Sequence, residues 1–106
     1  MAQGGDPTGT GTGGSQLPDL RAEFTREKKF LRGTCGMART SSPNSANSQW
    51  FIMFAPASHL DGQYTIWGQV TEGMDVVDRI KRGGGGGGSV TAPDKIVSFK
   101  VAADAG

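Results

Sequence analysis

Densely apolar and alternating segments of the chain predict β-strands. Residues 49–54 form an apolar run between a polar loop and Pro56, and the run's length and aromatic content favour a buried strand over a helix. Residues 64–70 alternate, which predicts a second strand with one face formed by Tyr64, Ile66 and Val70. Asp61-Gly62 between the two runs is a turn signal. We therefore expect these two strands to form the centre of the domain.

Two further strands and a surface loop are predicted in segments that are less apolar than residues 49–54. Residues 36–39 form a short strand candidate, and residues 96–102 form a closing strand whose apolar face comprises Val97, Phe99 and Val101. Residues 16–32 are mixed and charged, which predicts a surface loop with a short extended piece near residues 23–25.

One helix is predicted over residues 72–82. Met74, Val77 and Ile80 recur on one helical face, with acidic residues near the start of the segment and basic residues near its end. A glycine-rich loop, residues 83–92, then precedes the last strand. The expected fold class is therefore mainly β, mostly antiparallel, with one helix.

Composition limits the chain to one small domain and narrows its chemistry. The chain has 106 residues, 18 of them glycine, and a formal net charge of +1, which argues against binding to nucleic acid or a membrane surface through bulk charge. With one cysteine and one histidine, it offers no internal disulfide and no multi-histidine metal site. We expect no cofactor and no metal. The first residues carry no leader-like pattern, so the expected compartment is the cytoplasm, with any leader preceding Met1.

Three isolated features favour structural interpretations. Gly9, Gly11 and Gly14 have the spacing of a phosphate-binding loop, but no strand precedes them and no apolar helix follows directly. Cys35 has no neighbouring histidine or asparagine in sequence, so we expect a small buried side chain. His59 precedes the predicted turn and is expected at the surface or at a rim.

The polar loop over residues 43–49 and the strand after it admit two interpretations. Alternation places Gln49 and Phe51 on the same face of the strand. An amide beside an aromatic ring, next to a rigid loop, is suited to holding an extended peptide, because the amide fixes a carbonyl and the ring packs an apolar side chain. The alternative is an ordinary core strand, and periodicity alone leaves both open.

Several motifs resemble the cyclophilin family in family order and across essentially the whole chain. They are Met1-Ala-Gln-Gly-Gly-Asp6, Gly36-Met-Ala-Arg39, Pro43-Asn-Ser-Ala-Asn-Ser-Gln-Trp-Phe-Ile52, Leu60-Asp-Gly62, Trp67-Gly-Gln-Val70, residues 72–78 and residues 93–97. The style of the sequence resembles bacterial members. Cyclophilins are peptidyl-prolyl cis-trans isomerases built as a closed antiparallel β-barrel capped by two helices. The resemblance implies that residues 1–106 are the C-terminal portion of one such domain: a partial barrel with one capping helix, lacking the N-terminal strands and the first helix.

The resemblance also implies a set of site residues. Gln3 is expected to be the catalytic residue that hydrogen-bonds the backbone near the rotating amide. The remaining substrate-binding positions are Met1, Ala38, Arg39, Thr40, Gln49, Phe51, His59, Leu60 and Tyr64. Arg39, through its main chain, is expected to pair with an extended peptide. His59 replaces a tryptophan that many members use to contact cyclosporin, so weak or no cyclosporin binding is expected.

One departure from the family pattern bears on activity. The Phe-His-Arg segment that carries the family's catalytic arginine is absent from the printed sequence, and we expect it upstream of Met1. The expected activity is prolyl isomerisation assisting protein folding, with the 106-residue piece nearly inactive on its own. The alternatives are a proline-peptide-binding module without catalysis and a structural β domain. The expected partners are proline-containing polypeptides, with no nucleic acid or membrane partner, and the chain is expected to be a monomer.

Overall fold

Four short strands form one antiparallel sheet in the computed structural model, which describes residues 1–82, 90 and 92–102. The strands lie in the order β1-β3-β2-β4, so β2 and β3 are central. The mainly β, mostly antiparallel fold class is confirmed. The strand bounds are β1 Ala2–Gly4, β2 Thr34–Met37, β3 Trp50–Ile52 and β4 Ile66–Gln69.

The two strands expected at the centre exist, but they are not neighbours. β3 lies within residues 49–54 and β4 within residues 64–70, and β2 is hydrogen-bonded to both. The connection between them is longer than a hairpin because it contains the 3₁₀ turn η1 (Ser58–Leu60). Gly62 adopts a φ of 72° in the turn that follows, a conformation that glycine permits without strain. The turn signal is thus correct, but it does not mark a hairpin.

The core lies on one face of the sheet. Phe51 is paired in register with Gln3 of β1 and with Gly36 of β2, so these three residues share that face. The buried cluster comprises Phe30, Phe51, Met53 and Leu60. A Cβ on Gly36 would lie 2.6 Å from Cζ of Phe51 and 2.7 Å from Cε1 of Phe30, so the absence of a side chain at Gly36 lets both rings approach the strand.

Phe30 corrects the prediction that residues 16–32 are simply a surface loop. Its side chain is 1% exposed and its ring lies 5.6 Å from the ring of Phe51. Its N–H donates to Oδ1 of Asp61 at 2.7 Å, which fixes the backbone where the Phe30 side chain enters the core. Burying a large aromatic ring outweighs the polarity of its charged neighbours. Residues 23–25, the predicted extended piece, lie outside the four strands, and the N–H of Glu23 donates to Oγ1 of Thr65 at 3.0 Å.

The opposite face carries a second, more open aromatic group. The ring of Trp50 lies 5.8 Å from that of Trp67 and 5.5 Å from that of Phe99. Trp67 is 48% exposed.

The predicted closing strand over residues 96–102 is wrong. This segment reaches the sheet through apolar contacts alone, since the Phe99 ring packs on Trp50 while Val97 is 98% exposed. No backbone hydrogen bond joins it to a strand within the described part of the chain. Alternation by itself cannot form a strand, because a strand needs a neighbouring edge at which to satisfy its N–H and C=O groups.

The predicted helix is much shorter than residues 72–82. The helix α1 spans Met74–Val77, and Gly73 before it has a φ of 89°, which lies outside the helical region and fixes the start. Beyond α1 the N–H groups of Arg79 and Ile80 bond carbonyls three residues earlier, a tightened helix end. The expected face is correct: Met74, Val77 and Ile80 are partly buried while Val76 is exposed.

The glycine-rich loop predicted over residues 83–92 lies outside the described residues except for 90 and 92. Among the helices that are described, none is long and apolar enough to cross a membrane.

Candidate functional site

An apolar surface forms where η1 and the following turn pack against the core face of the sheet. Phe51 and Leu60 are buried, at 2% and 7% exposure, and Tyr64 and Ala38 pack against the same cluster while remaining half-buried. The Tyr64 ring meets the Phe51 ring edge-on, with centroids 5.9 Å apart. Four predicted site residues therefore come together, with Tyr64 and Ala38 over a buried floor of Phe51 and Leu60.

Two glutamines border this surface and bond each other. Gln3 lies in the middle of β1 and Gln49 immediately precedes β3, and Nε2 of Gln3 donates to Oε1 of Gln49 at 2.8 Å. The carbonyl of Gln49 accepts the N–H of Ala38 at 3.0 Å. The structure thus brings Gln3, Gln49 and Ala38 together on the edge of the apolar surface, with Gln3 exposed.

The glycine- and threonine-rich loop that follows β1 folds around the carboxylate of Asp6. The carboxylate accepts backbone N–H groups from Thr8, Thr10, Gly11, Thr12 and Gly13. These bonds, that of Gly13 foremost, hold the pKa of Asp6 well below its usual range. The N–H groups that a phosphate would need are therefore occupied by an internal anion, which supports the structural interpretation of Gly9, Gly11 and Gly14.

The Arg39 side chain lies at the border of the apolar surface, beside Tyr64. Its guanidinium carbon is 4.7 Å from the centre of the Tyr64 ring and 5.4 Å from that of Phe24, both cation–π distances. Nε and Nη2 donate to the carbonyl of Gln63 at 3.0 and 2.8 Å. The guanidinium is thus tied to the turn beside Tyr64.

Three other predicted positions lie at the periphery. Met1 is 53% exposed ahead of β1, and His59 is exposed on η1 beside the buried Leu60. Thr40 is exposed, and its N–H and hydroxyl both bond Oγ of Ser45, at 2.9 and 2.8 Å. Thr40 therefore stabilises the polar loop, and the structure leaves Met1 and His59 at the surface.

Sequence reasoning missed three residues that shape this region. Phe30 belongs to the same buried cluster as Phe51 and Leu60, but a single phenylalanine in a charged segment carries no periodic signal. Asp6 organises its loop, and the alternation of threonine and glycine after Asp6-Pro7 was the available signal. Asn47 holds the C-terminal end of the loop that follows β1, because its Oδ1 accepts from the N–H and the hydroxyl of Ser15 at 2.7 and 2.6 Å.

Two concave surfaces lie away from this site. One cleft of about 330 Å³ is bordered by Leu20, Met37 and Trp67, and another of about 640 Å³ by Leu31, Ile66 and Trp67. Neither is lined by a predicted site residue. Cys35 is 5% exposed, and burial raises the pKa of its thiol, so its interpretation as a small buried side chain is confirmed. Over residues 1–82, 90 and 92–102, no group of three His, Cys, Asp or Glu side chains is placed to hold a metal ion.

Comparison with known families and sequences gives one consistent result. Residues 1–101 match the family described as cyclophilin type peptidyl-prolyl cis-trans isomerase/CLD. A probable peptidyl-prolyl cis-trans isomerase of Brucella abortus (strain 2308) is 54% identical over 105 residues, covering 98% of this chain and 53% of the relative. Peptidyl-prolyl cis-trans isomerase-like 3 of Rattus norvegicus is 38% identical over 87 residues, or 77% of this chain and 52% of the relative.

Solved structures give the same likeness at the level of the fold. A cyclophilin type peptidyl-prolyl cis-trans isomerase of Cryptosporidium parvum, crystallised in the presence of the dipeptide Ala-Pro, superposes with a TM-score of 0.66 at 39% identity. The match covers 72% of this chain and 51% of that one. The chain thus spans about half the length of these two relatives and of this solved structure.

Proposed function

The chain belongs to the cyclophilin-type peptidyl-prolyl cis-trans isomerases, and from this premise we propose that it contributes the proline-binding surface and the carbonyl-holding amides of a prolyl isomerase that assists protein folding. The observation that carries the proposal is the convergence of the Phe51, Leu60 and Tyr64 surface with the hydrogen-bonded Gln3 and Gln49. The Ala-Pro dipeptide present with the Cryptosporidium parvum relative supports proline-containing peptides as the ligand class.

The reaction needs binding rather than covalent chemistry. Rotation about an X–Pro bond breaks amide resonance, against a barrier of about 18–20 kcal/mol, and takes tens to hundreds of seconds unaided. An enzyme accelerates rotation by binding the twisted amide more tightly than either planar isomer. In this chain, the proline ring rests on the half-buried Tyr64 and Ala38 above Phe51, and the second N–H of the Gln3 amide holds a peptide carbonyl.

The Arg39 backbone supplies an extended docking edge beside this surface. Its N–H and C=O form no hydrogen bond within the part of the chain that is described, whereas the N–H of the preceding Ala38 bonds Gln49. Free backbone groups at a strand end are suited to pairing with an extended peptide. A peptide so paired runs along the rim past Tyr64, and its proline reaches the apolar surface.

Turnover by the 106-residue chain alone is proposed to be slow. A guanidinium beside the proline stabilises the nitrogen lone pair that appears as resonance is lost, and loss of one such donor costs roughly 10²–10³ in rate. The sequence contains no Phe-His-Arg segment. Arg39 does not replace it, because its guanidinium is bonded to the Gln63 carbonyl and stacked on Tyr64. This observation favours, as the second candidate, a proline-peptide-binding module without catalysis.

Binding and turnover are tested separately on the same protein. A peptide containing Ala-Pro is titrated into the chain and its binding is measured by isothermal titration calorimetry, and X–Pro isomerisation is followed in a protease-coupled assay. We expect saturable binding with little rate enhancement. Gln3→Ala is expected to weaken binding, and Gln16→Ala, a change at an exposed loop glutamine, serves as the matched control.

Each result has a distinct meaning. Failure of the wild-type chain to bind the peptide refutes the proposed surface. A rate near that of an intact cyclophilin refutes the slow turnover and assigns catalysis to residues present in this chain. Binding without turnover, persisting after an arginine-bearing segment is joined to the N-terminus, identifies a binding module.

A further inference from the structure

The Asp6 loop is hydrogen-bonded to the glutamine pair as well as to itself. Nε2 of Gln49 donates to the carbonyl of Gly13 at 2.7 Å and to that of Gly11 at 3.2 Å. The N–H groups of the same two glycines donate to the Asp6 carboxylate, at 3.0 and 2.7 Å. Each of these two glycine residues therefore joins Asp6, through its N–H, to Gln49, through its carbonyl.

This arrangement determines which way the Gln49 amide faces. Carbonyl oxygens only accept hydrogen bonds, so the NH₂ group of Gln49 must point into the loop and use its two hydrogens there. Its Oε1 is left facing β1, where it accepts from Nε2 of Gln3. The Gln3 amide then retains one N–H and its own oxygen for other partners. A flipped Gln49 would present NH₂ to Gln3 and reverse that pattern.

We propose that Asp6 is a positioning residue for the site: by holding the loop carbonyls of Gly11 and Gly13 toward Gln49, it fixes the Gln49 amide and, through it, the orientation in which Gln3 meets the peptide. The role of Gln3 toward peptide rests on the proposed function, whereas the orientation of the Gln49 amide does not. The carboxylate acts from behind the loop and touches no ligand.

The side-chain amide resonances of Gln49 and Gln3 test this arrangement directly. In the ¹⁵N-labelled chain, Asp6→Asn replaces an acceptor-only carboxylate by a group with one acceptor oxygen and no charge. We expect both hydrogens of the Gln49 amide to shift toward free-glutamine positions and to exchange faster with water, with the Gln3 amide following. Peptide affinity is expected to fall roughly three- to tenfold, about the worth of one net hydrogen bond.

A second variant disturbs the loop without removing the charge. Gly13→Ala places a Cβ 2.5 Å from Oδ1 of Asp6 and 2.9 Å from Cγ2 of Thr8, so the carboxylate and the backbone at residue 13 must move apart. The same amide shifts are expected. Asp75→Asn is the matched control, because the Asp75 carboxylate is exposed on α1 and pairs with Arg79 at 3.6 Å.

The outcomes separate positioning from simple loop stability. A role limited to stability lowers the urea midpoint and shifts loop amides while the side-chain amide of Gln49 stays in place, and that result overturns the proposal. Unchanged peptide affinity despite a displaced Gln49 amide overturns it as well. Should the wild-type chain bind no peptide, the proposed function fails, and the amide resonances still decide whether Asp6 orients Gln49.

Discussion

Replacing Gly36 of β2 by alanine tests how closely the rings of Phe30 and Phe51 pack against the sheet. In Gly36→Ala the new methyl group would lie 2.6 Å from the Phe51 ring and 2.7 Å from the Phe30 ring. Ordinary carbon contacts lie near 3.5–4.0 Å, so both rings must retreat by about 1 Å. Overpacking of this kind costs about 1–3 kcal/mol. The entropic gain of replacing glycine offsets about 0.4–1 kcal/mol of that.

The neighbouring strand provides a matched control. In Gly68→Ala the methyl group would meet Cβ of Cys35 at 3.8 Å, an ordinary contact. The same chemical change is therefore expected to stabilise the chain by about 0.4–1 kcal/mol, since no atom has to move. The two variants should shift the free energy of unfolding in opposite directions.

Urea unfolding followed by the fluorescence of Trp50 and Trp67 measures both shifts. The midpoint is expected to fall for Gly36→Ala and to rise for Gly68→Ala, with unchanged m-values. Peptide affinity should also fall in Gly36→Ala, because Phe51 is displaced. Equal shifts in the two variants, or a more stable Gly36→Ala, would refute the close packing of Phe30 and Phe51 against the strand.

Three further predictions concern other parts of the fold. Phe30→Ala is expected to lower the free energy of unfolding by about 3–5 kcal/mol, enough to unfold much of a small domain, and the urea midpoint checks it. The Arg32 side chain donates two hydrogen bonds to the Asp78 carboxylate, at 2.9 and 2.7 Å, and holds the pKa of Asp78 below its ordinary value. The stabilisation by this pair is therefore fully present above the pKa of an aspartate in the unfolded chain. It is lost as the pH falls through the lower pKa of Asp78 in the folded chain. A pH series of urea midpoints should therefore show a decline at acid pH that Asp78→Asn reduces; an identical decline in the variant would assign it elsewhere. The thiol of Cys35 is 5% exposed with a raised pKa, so an aromatic disulfide reagent should react slowly at neutral pH and rapidly in urea, and fast reaction in buffer would contradict its burial.

Local pattern was sufficient for the elements that carry a strong periodic or aromatic signal. Residues 49–54 and 64–70 contain strands, and the partly buried face of Met74, Val77 and Ile80 follows from helical spacing. The neighbours of each strand could not be predicted, because pairing depends on which edges meet in space. The failure of residues 96–102 as a strand has this cause.

The candidate site was predicted from family motifs more than from physical pattern. Alternation placed Gln49 beside Phe51, but the partnership of Gln3 with Gln49 joins residues 46 positions apart and leaves no local trace. Phe30 was missed for a similar reason, because it acts through contacts across the fold and a lone aromatic residue has no spacing to recognise. Asp6 acts within its own loop, where the alternation of threonine and glycine was the signal. The peripheral positions Met1 and His59 remain predictions from the resemblance.

The pairing of β1 with β3 has a consequence for how the molecule assembles. Pairing β2 with β3 closes a loop of residues 38–49, whereas pairing β1 with β3 closes the longer loop of residues 5–49. Closing long loops slows folding, so β1 is expected to dock late and to open first. Because Gln3 lies in β1, a chain in which β1 has not yet docked is expected to expose the ring of Phe51 before the Gln3–Gln49 hydrogen bond forms. Partly folded copies are therefore expected to be most prone to self-association in the interval before β1 docks.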